Sequence, residues 1–341
     1  MNKFPLLKLP KDAQEHVVKI MDFIPLIGLS LVSKTSKALV ATAKVQCKTL
    51  SIDLRSGYFP LTLQTNVGTF VQLLFQNYCQ PLQPQSEDLF LALLSDPWER
   101  ESVWRNPRLS FSQWVAHLKS IFVIRSPVTV LFDGDHNLSM DDICANFLGL
   151  AGKVIFNDGC RGRRLREIVT NFLPTIEMLE FVEGMPPREM DLATKISIQN
   201  LTTITHRYTK ITCLDTLLLG SAAFIRPCDF SSDAITNKTI NRFLKCWAQG
   251  SNPRLERFEC RRRRLGDGDF ESPFNRNSIF RGITFQDVPW DVEKRLTRTM
   301  IECSEDPTRN RIQGGREVRN KTGKVATILM DEGRVEMFVW H

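Results

Sequence analysis

The sequence predicts an α+β or α/β chain in three parts: a small three-helix module, an irregular, repeat-like α/β body, and a C-terminal β-meander. Three observations carry this. Apolar residues recur at helical spacing near the N-terminus, an apolar-x-x-apolar-x-apolar step recurs between residues 118 and 260, and alternating strand-like runs joined by turn residues close the chain.

The N-terminal part is the most informative. Leu9-Pro10 precedes Lys11 to Met21, where Ala13, Val17, Ile20 and Met21 recur at helical spacing and Asp12 with Glu15 can cap the start. Pro25 falls in the first turn of a second helix, with Leu26, Ile27, Leu29 and Val32 apolar. Ser33 to Lys37 then leads into a third helix containing Ala38, Leu39 and Val40. Three short helices of ~40 residues in all fall below the size that folds alone. Their surplus apolar surface is therefore expected either to cap the following domain or to face a partner protein.

The order of these residues, Leu-Pro, then Ile20-Met21, then Leu26-Ile27-x-Leu29-Ser30-Leu31-Val32-Ser33-Lys34, is similar to the F-box, the module that binds the adaptor Skp1. The similarity runs without a gap over about residues 4 to 44. It implies that Leu9, Pro10, Ile20, Met21, Leu29, Val32, Ser33 and Lys34 face the adaptor or hold the helices together. Where the family often has an aromatic two residues after the lysine, this chain has Ser36, which predicts looser packing of the third helix.

Strand signals follow. Leu50 to Leu54 alternates, and a turn at Gly57 leads to Tyr58 to Leu63. Gln80 to Ser86 reads as a loop, and Ser112 to Leu118 as a helix. The recurring step appears at Leu118/Ile121/Val123, Ala151/Val154/Phe156, Ile176/Leu179/Phe181, Ala193/Ile196/Ile198, Leu214/Leu217/Leu219 and Leu255/Phe258/Cys260. Helical stretches such as Met140 to Leu148 and Asn237 to Trp247 separate several of these. That alternation predicts a leucine-rich-repeat-like α/β layer, against an ordinary α+β domain.

In Thr239 to Glu256, Ile240, Phe243, Leu244 and Trp247 fall on one helix face, Gly250 stops the helix, and a turn marked by Pro253 leads to a strand. The phrase N-x-F-L-x-x-W-x-x-G-S-N-P-x-L-E resembles the core motif of the type 2 F-box-associated domain of nematode proteins. The end of the chain is similar as well, at Gly315 to Arg319, Gly323 to Ile328 and Phe338 to Trp340, and reads as a β-meander with turns at Asn320 to Gly323 and Asp331 to Gly333. The division expected is 1–47 for the F-box, 48–285 for the associated body and 286–341 for the C-terminal segment.

Composition narrows the chemistry. With 42% hydrophobic and 24% charged residues, the chain is expected to build a packed core. No run approaches the ~20 apolar residues of a membrane helix. The N-terminus carries no secretory pattern, and the nine cysteines form no C-x-x-C pair, which fits an intracellular, cytoplasmic or nuclear protein. The five histidines show no metalloprotease spacing, no phosphate-binding loop is present, and Asp133-Gly134-Asp135 and Asp267-Gly268-Asp269 lack the rest of a calcium loop. No metal, cofactor or catalytic residue is expected.

Two functions remain. The resemblance implies the non-catalytic substrate receptor of a Skp1–cullin–F-box ubiquitin ligase, with Skp1, and through it a cullin, as partners beside a protein substrate. The alternative is a basic binding protein for nucleic acid or an acidic partner, consistent with the net charge of +7, whose helices form an N-terminal cap. Arg261-Arg262-Arg263-Arg264 offers a partner or nuclear-import contact under either. It also reads as a solvated strand end balanced by Asp267, Asp269 and Glu271. No aromatics interleave these arginines, which counts against single-strand binding.

Overall fold

The structure, a computed structural model, describes residues 6–54, 58–65, 70–76, 88–94, 100–105, 109–134, 138–157, 159–182, 192, 195–196, 199–207, 220–228, 235–262, 273–297, 300–301 and 309–340. The chain divides into two compact units, Met1–Val154 and Ile155–His341.

The first unit opens with α1 (Lys11–Ile20), α2 (Phe23–Val32) and α3 (Lys34–Thr42). Pro10 stands just before α1 and Pro25 lies in the first turn of α2, where a missing N–H breaks no helical bond. Ser33 both ends α2 and caps α3, its Oγ accepting from the Ser36 N–H at 3.0 Å. The two hydroxyls also bond each other at 2.9 Å, and Ser36 is 1% exposed. The small residue thus serves the cap at a site where a large ring would displace it, so Ser36 fills its place through hydrogen bonding rather than ring packing. Val18, Leu26, Ile27 and Val40 form the module's buried side. Ile20, read at helical spacing with Ala13, Val17 and Met21, is exposed at the end of α1, and Val18 takes the core position.

A sheet follows, with β1 (Gln46–Leu54), β2 (Tyr58–Thr65), β3 (Phe70–Gln76), β4 (Asp88–Leu94) and β5 (Arg100–Arg105) as an antiparallel run. Helix α4 (Phe111–Ile121), closed by a capping box between Ser110 and Gln113, leads to β6 (Val123–Ile124) and β7 (Thr129–Phe132), which pair parallel with β1. Helix α5 (Met140–Phe147) comes next. The step at Leu118/Ile121/Val123 is therefore split: Leu118 and Ile121 lie on the buried face of α4 beside Trp114 and Val115, and only Val123 is in a strand, β6. Gly57 and the stretch Gln80 to Ser86 lie outside the described residues.

The second unit takes in β8 (Lys153–Phe156), which spans the boundary, then α6 (Gly162–Phe172), β9 (Met178–Phe181), β10 (Thr203–Arg207) and β11 (Phe224–Cys228). It continues with α7 (Asn237–Ala248), β12 (Arg257–Arg261), α8 (Arg276–Ile279), β13 (Gln286–Arg295), β14 (Arg311–Arg319), β15 (Val325–Met330) and β16 (Arg334–Trp340). Strands β9 to β12 pair parallel in chain order. Antiparallel β16 then joins β12, with β15, β14 and β13 beyond it, so the meander extends the sheet of the body.

The expected steps at Ala151/Val154/Phe156, Ile176/Leu179/Phe181 and Leu255/Phe258/Cys260 are all buried, on or beside β8, β9 and β12. The step placed at Ala193/Ile196/Ile198 is not a strand at Ile196, which is helical; the strand is β10, where Leu201 and Ile204 are buried. Residues Ala193, Ile198 and Leu214 to Leu219 lie outside the described residues. The strands begin unevenly, at 178, 203, 224 and 257, so no regular repeat length emerges. What stands is a helical N-terminal module followed by mixed α/β sheet.

The sheet of the second unit has two unlike faces. On one, Leu179, Ile204, Ile225, Phe258 and Met337 align by register, and α6 and α7 bring Leu165, Phe172, Phe243 and Trp247 to burial; the Phe243 and Phe258 rings stack at 4.5 Å. On the other, the buried Glu180, Thr205, Arg226, Glu259 and Glu336 lie on β9 to β12 and β16. The Glu259 carboxylate meets Arg226 at 3.4 Å, Arg257 at 3.0 Å, Arg261 at 2.6 Å and Arg334 at 2.9 Å. Burial alone would raise its pKa, but the four guanidiniums outweigh that and hold it below the usual carboxylate range.

The motif around α7 now has a physical account. Asn241 donates to the carbonyls of Ile279 and Arg281 at 2.7 and 2.9 Å, fixing the end of α8. Gly250 takes φ +99° where the helix stops, and Asn252, at φ 53° and 3% exposed, donates to the Gly220 carbonyl at 2.7 Å. Leu255 is fully buried, and the Glu256 N–H reaches Ala223 O at 2.7 Å, aligning β12 with β11.

Two stability outcomes follow. Trp247→Ala removes a 1%-exposed indole and should lower unfolding free energy by ~3–5 kcal/mol in denaturant titration. Glu259→Ala leaves four guanidiniums around a carboxylate that is gone and should cost ~3–5 kcal/mol. An unchanged midpoint in either variant contradicts the corresponding placement.

Candidate functional site

The N-terminal helices rest on α4. The Phe23 and Phe122 rings lie 5.3 Å apart, α3 packs against α4, and Ser30 Oγ, which donates to Ile27 O at 2.6 Å, is also hydrogen-bonded to His117 Nε2 at 2.8 Å. This covers one side of the module. On the rest of it, Leu7 is 48% exposed, Ile20 70% and Val32 76%, so three of the eight large exposed hydrophobics among the described residues fall within its first 32 positions.

Each residue that the sequence pointed to can now be placed. Pro10 is exposed at the start of α1, and Leu9 beside it is half-buried, its carbonyl held by Gln14 Nε2 at 2.7 Å. Ile20 ends α1 with the half-buried Met21 after it; Leu29 is half-buried in α2, which Val32 ends. Ser33 and Lys34 are exposed at the start of α3. Leu7 was missed, although an apolar pair just ahead of Leu9-Pro10 could have signalled it.

The arginine run divides. Arg261 is engaged by Glu259, and Arg262 is built into the fold: its N–H reaches Gly333 O at 2.8 Å, its Nη2 reaches Ile235 O at 3.0 Å, and its guanidinium lies 4.1 Å from the Phe274 ring centre. Arg263, Arg264, Asp267, Asp269 and Glu271 lie outside the described residues. Sequence reasoning missed the buried Arg257 and Glu259. Their signal was the alternation Arg257-Phe258-Glu259-Cys260-Arg261, a strand with one apolar and one charged face.

The F-box domain family matches residues 6–48, the three helices and the first residues of β1. The type 2 F-box associated family matches residues 193–260, which include α7, the turn through Gly250 and Asn252 and all of β12 but Arg261. Both matches make the chain similar to nematode F-box proteins that carry a type 2 F-box-associated domain. A relative, the F-box associated domain-containing protein sdz-33 of Caenorhabditis elegans, is 23% identical over 259 residues, 76% of this chain and 78% of that protein. No solved structure matches. No helix among the described residues is long and apolar enough to cross a membrane.

The contact between the F-box and α4 has a titratable partner. Burial, then the charge of Lys37, holds His117 below its ordinary value of 6.5. The unfolded chain therefore takes up this proton more readily than the folded one. Stability from the neutral ring is whole above about 6.5 and is lost as pH falls from there toward the lowered value. Between about pH 7.5 and about pH 5.5, wild type should lose more stability than His117→Gln in paired denaturant titrations. Equal losses would remove His117 from this role.

Proposed function

We propose that this chain is the substrate receptor of a Skp1–cullin–F-box ubiquitin ligase. The F-box docks on a Skp1-type adaptor, and through it a cullin, while the body holds a protein substrate. F-box domains in general serve that adaptor role, and the observation that carries it to this chain is the exposure of Ile20 and Val32 on a module whose other side is packed. Leu9, Pro10, Met21, Leu29, Ser33 and Lys34 complete the proposed contact, with Leu7 added. The chain itself would carry out no covalent step; its contribution to rate is proximity of substrate lysines to a ubiquitin-charged enzyme. Such a protein works inside the cell.

We further read 1–47 as the adaptor-binding part, 48–285 as a leucine-rich-repeat-like receptor body and 286–341 as its C-terminal segment. The parallel order β9 to β12 supports the repeat-like reading. Arg261 to Arg264 remains a proposed partner or import contact, resting on its charge. A nucleic-acid role is weaker, because Arg226 and Arg257 are buried against Glu259 rather than offered to a phosphate backbone.

Ile20→Glu with Val32→Glu tests the reading without touching the core. Co-purification of Skp1 with the tagged full chain should fall to background while the unfolding midpoint stays within measurement error. Retention of Skp1 by the double variant, or its absence from wild type, would return the cap reading to first place.

A further inference from the structure

Strand β13 lies at the free edge of the second unit's sheet, and its pairing with β14 is interrupted in an unusual way. Val288 faces Gly315 and Glu293 faces Gln313, so the four residues 289–292 oppose the single Gly314. Such a bulge re-aims side chains. Trp290 is its product: 77% exposed, yet seated on bare backbone, since a Cβ on Gly314 would come within 3.0 Å of its ring. Gly314 also sits at φ +63°, which a side chain would strain.

Trp290 overhangs a cavity of about 730 Å³ with arginines in its lining. Two pairs in the lining match charge one to one, Arg311 with Glu293 and Arg316 with Asp287. Around the buried Glu336 the match is uneven, even with Glu259 also reached by Arg334 at 2.9 Å and by Arg257 at 3.0 Å. The Glu336 carboxylate, 3% exposed as a residue, is shared by Arg309 at 2.6 Å, Arg334 at 2.7 Å and Arg257 at 2.9 Å. Arg309 and Arg334 both reach the cavity and keep 28% of their side chains exposed, and the Arg334 Nε is buried without a hydrogen-bond partner. Arg276, also in the lining, is exposed and has no ion-pair partner among the described residues.

We propose that this cavity is a docking site for an extended protein segment that sets an Asp or Glu side chain against Arg309 and Arg334 and an apolar side chain against Trp290. The proposal rests on the substrate-receptor reading and names the class of substrate it would take. A carboxylate here meets guanidiniums that, among the described residues, outnumber the carboxylates they share, and the indole supplies the apolar area that anchors peptide interfaces. A nucleic-acid strand fits less well. Its repeated phosphates would have to pass Asp287, Glu293 and Asp331, and Trp290, the one exposed aromatic in the lining, gives no series of stacking platforms.

The test pans a random dodecapeptide library displayed on phage against the immobilised full chain, with Skp1 co-purification read from the same preparation. Enriched peptides should pair an acidic with a neighbouring apolar residue. A synthetic, labelled member should bind Trp290→Ala and Arg309→Gln about tenfold more weakly by fluorescence polarisation. Replacing its acidic residue by the amide should have the same effect. Arg276→Ser, which breaks no ion pair, guards against a folding defect and should also weaken binding. Absence of enrichment, enrichment without acidic preference, undiminished binding by Trp290→Ala, or displacement by a single-stranded oligonucleotide that depends on the same residues would overturn the proposal. Skp1 capture in that preparation reports on the receptor reading separately.

Discussion

The Glu259 carboxylate is the constraint around which the C-terminal unit is arranged. Fully buried, it must be surrounded by donors or lose its charge, and Arg226 from β11, Arg257 and Arg261 from β12, and Arg334 from β16 supply them. Those four contacts tie the last strands of the parallel run to β16, the last strand of the meander. A slip of one residue in β12 would turn Glu259 into the apolar face and Phe258 out of the stack with Phe243. Charge pairing on one face and ring packing on the other thus specify the same register. Glu336 extends the arrangement to Arg309, at the cavity beneath Trp290, so the buried network also fixes the side chains that reach solvent there.

The F-box solves a different problem. Its three helices have too little mutual surface to close a core, and α4 covers one side of them through Phe122 and His117. Ser30 and Ser33 matter here because short hydroxyl side chains can satisfy polar groups near helix ends without demanding volume. The covered side gives a fixed support, so the exposed Ile20 and Val32 sit on ordered helix ends rather than on a fraying terminus. Preorganisation of that kind lowers the ordering cost of association.

Much of this was legible in residue order. Helices at Lys11–Ile20, Asn237–Ala248 and Met140–Phe147, the buried indole of Trp247, and the C-terminal meander with its Asn320 and Asp331 turns all follow from spacing, prolines and glycines, because local propensity and one-sided burial agree there. The residues proposed to face an adaptor could be named in sequence because Leu9-Pro10 and the Ile20-Met21 pair are local features. What spacing could not assign was which apolar residue faces inward when two candidates are adjacent. Val18, not Val17, enters the core of the module, and the helix read at Ser112 to Leu118 runs on to Ile121, because the deciding surface is supplied by a distant segment.

Tertiary structure alone decided the rest. The charged run ending in Arg264 reads as surface in sequence, yet Arg262 is bound into the fold and the nearby Arg257 and Glu259 are buried, since their partners Arg334 and Glu336 lie some 75 residues further along the chain. The cavity under Trp290 is equally invisible to a linear reading: it exists because four residues of β13 cross one glycine of β14, a matter of pairing between strands. Composition, capping and periodicity act through neighbours in sequence and so determined the helices, the turns and the family signature. Buried charge and strand register act through neighbours in space, and only the folded chain could bring those together.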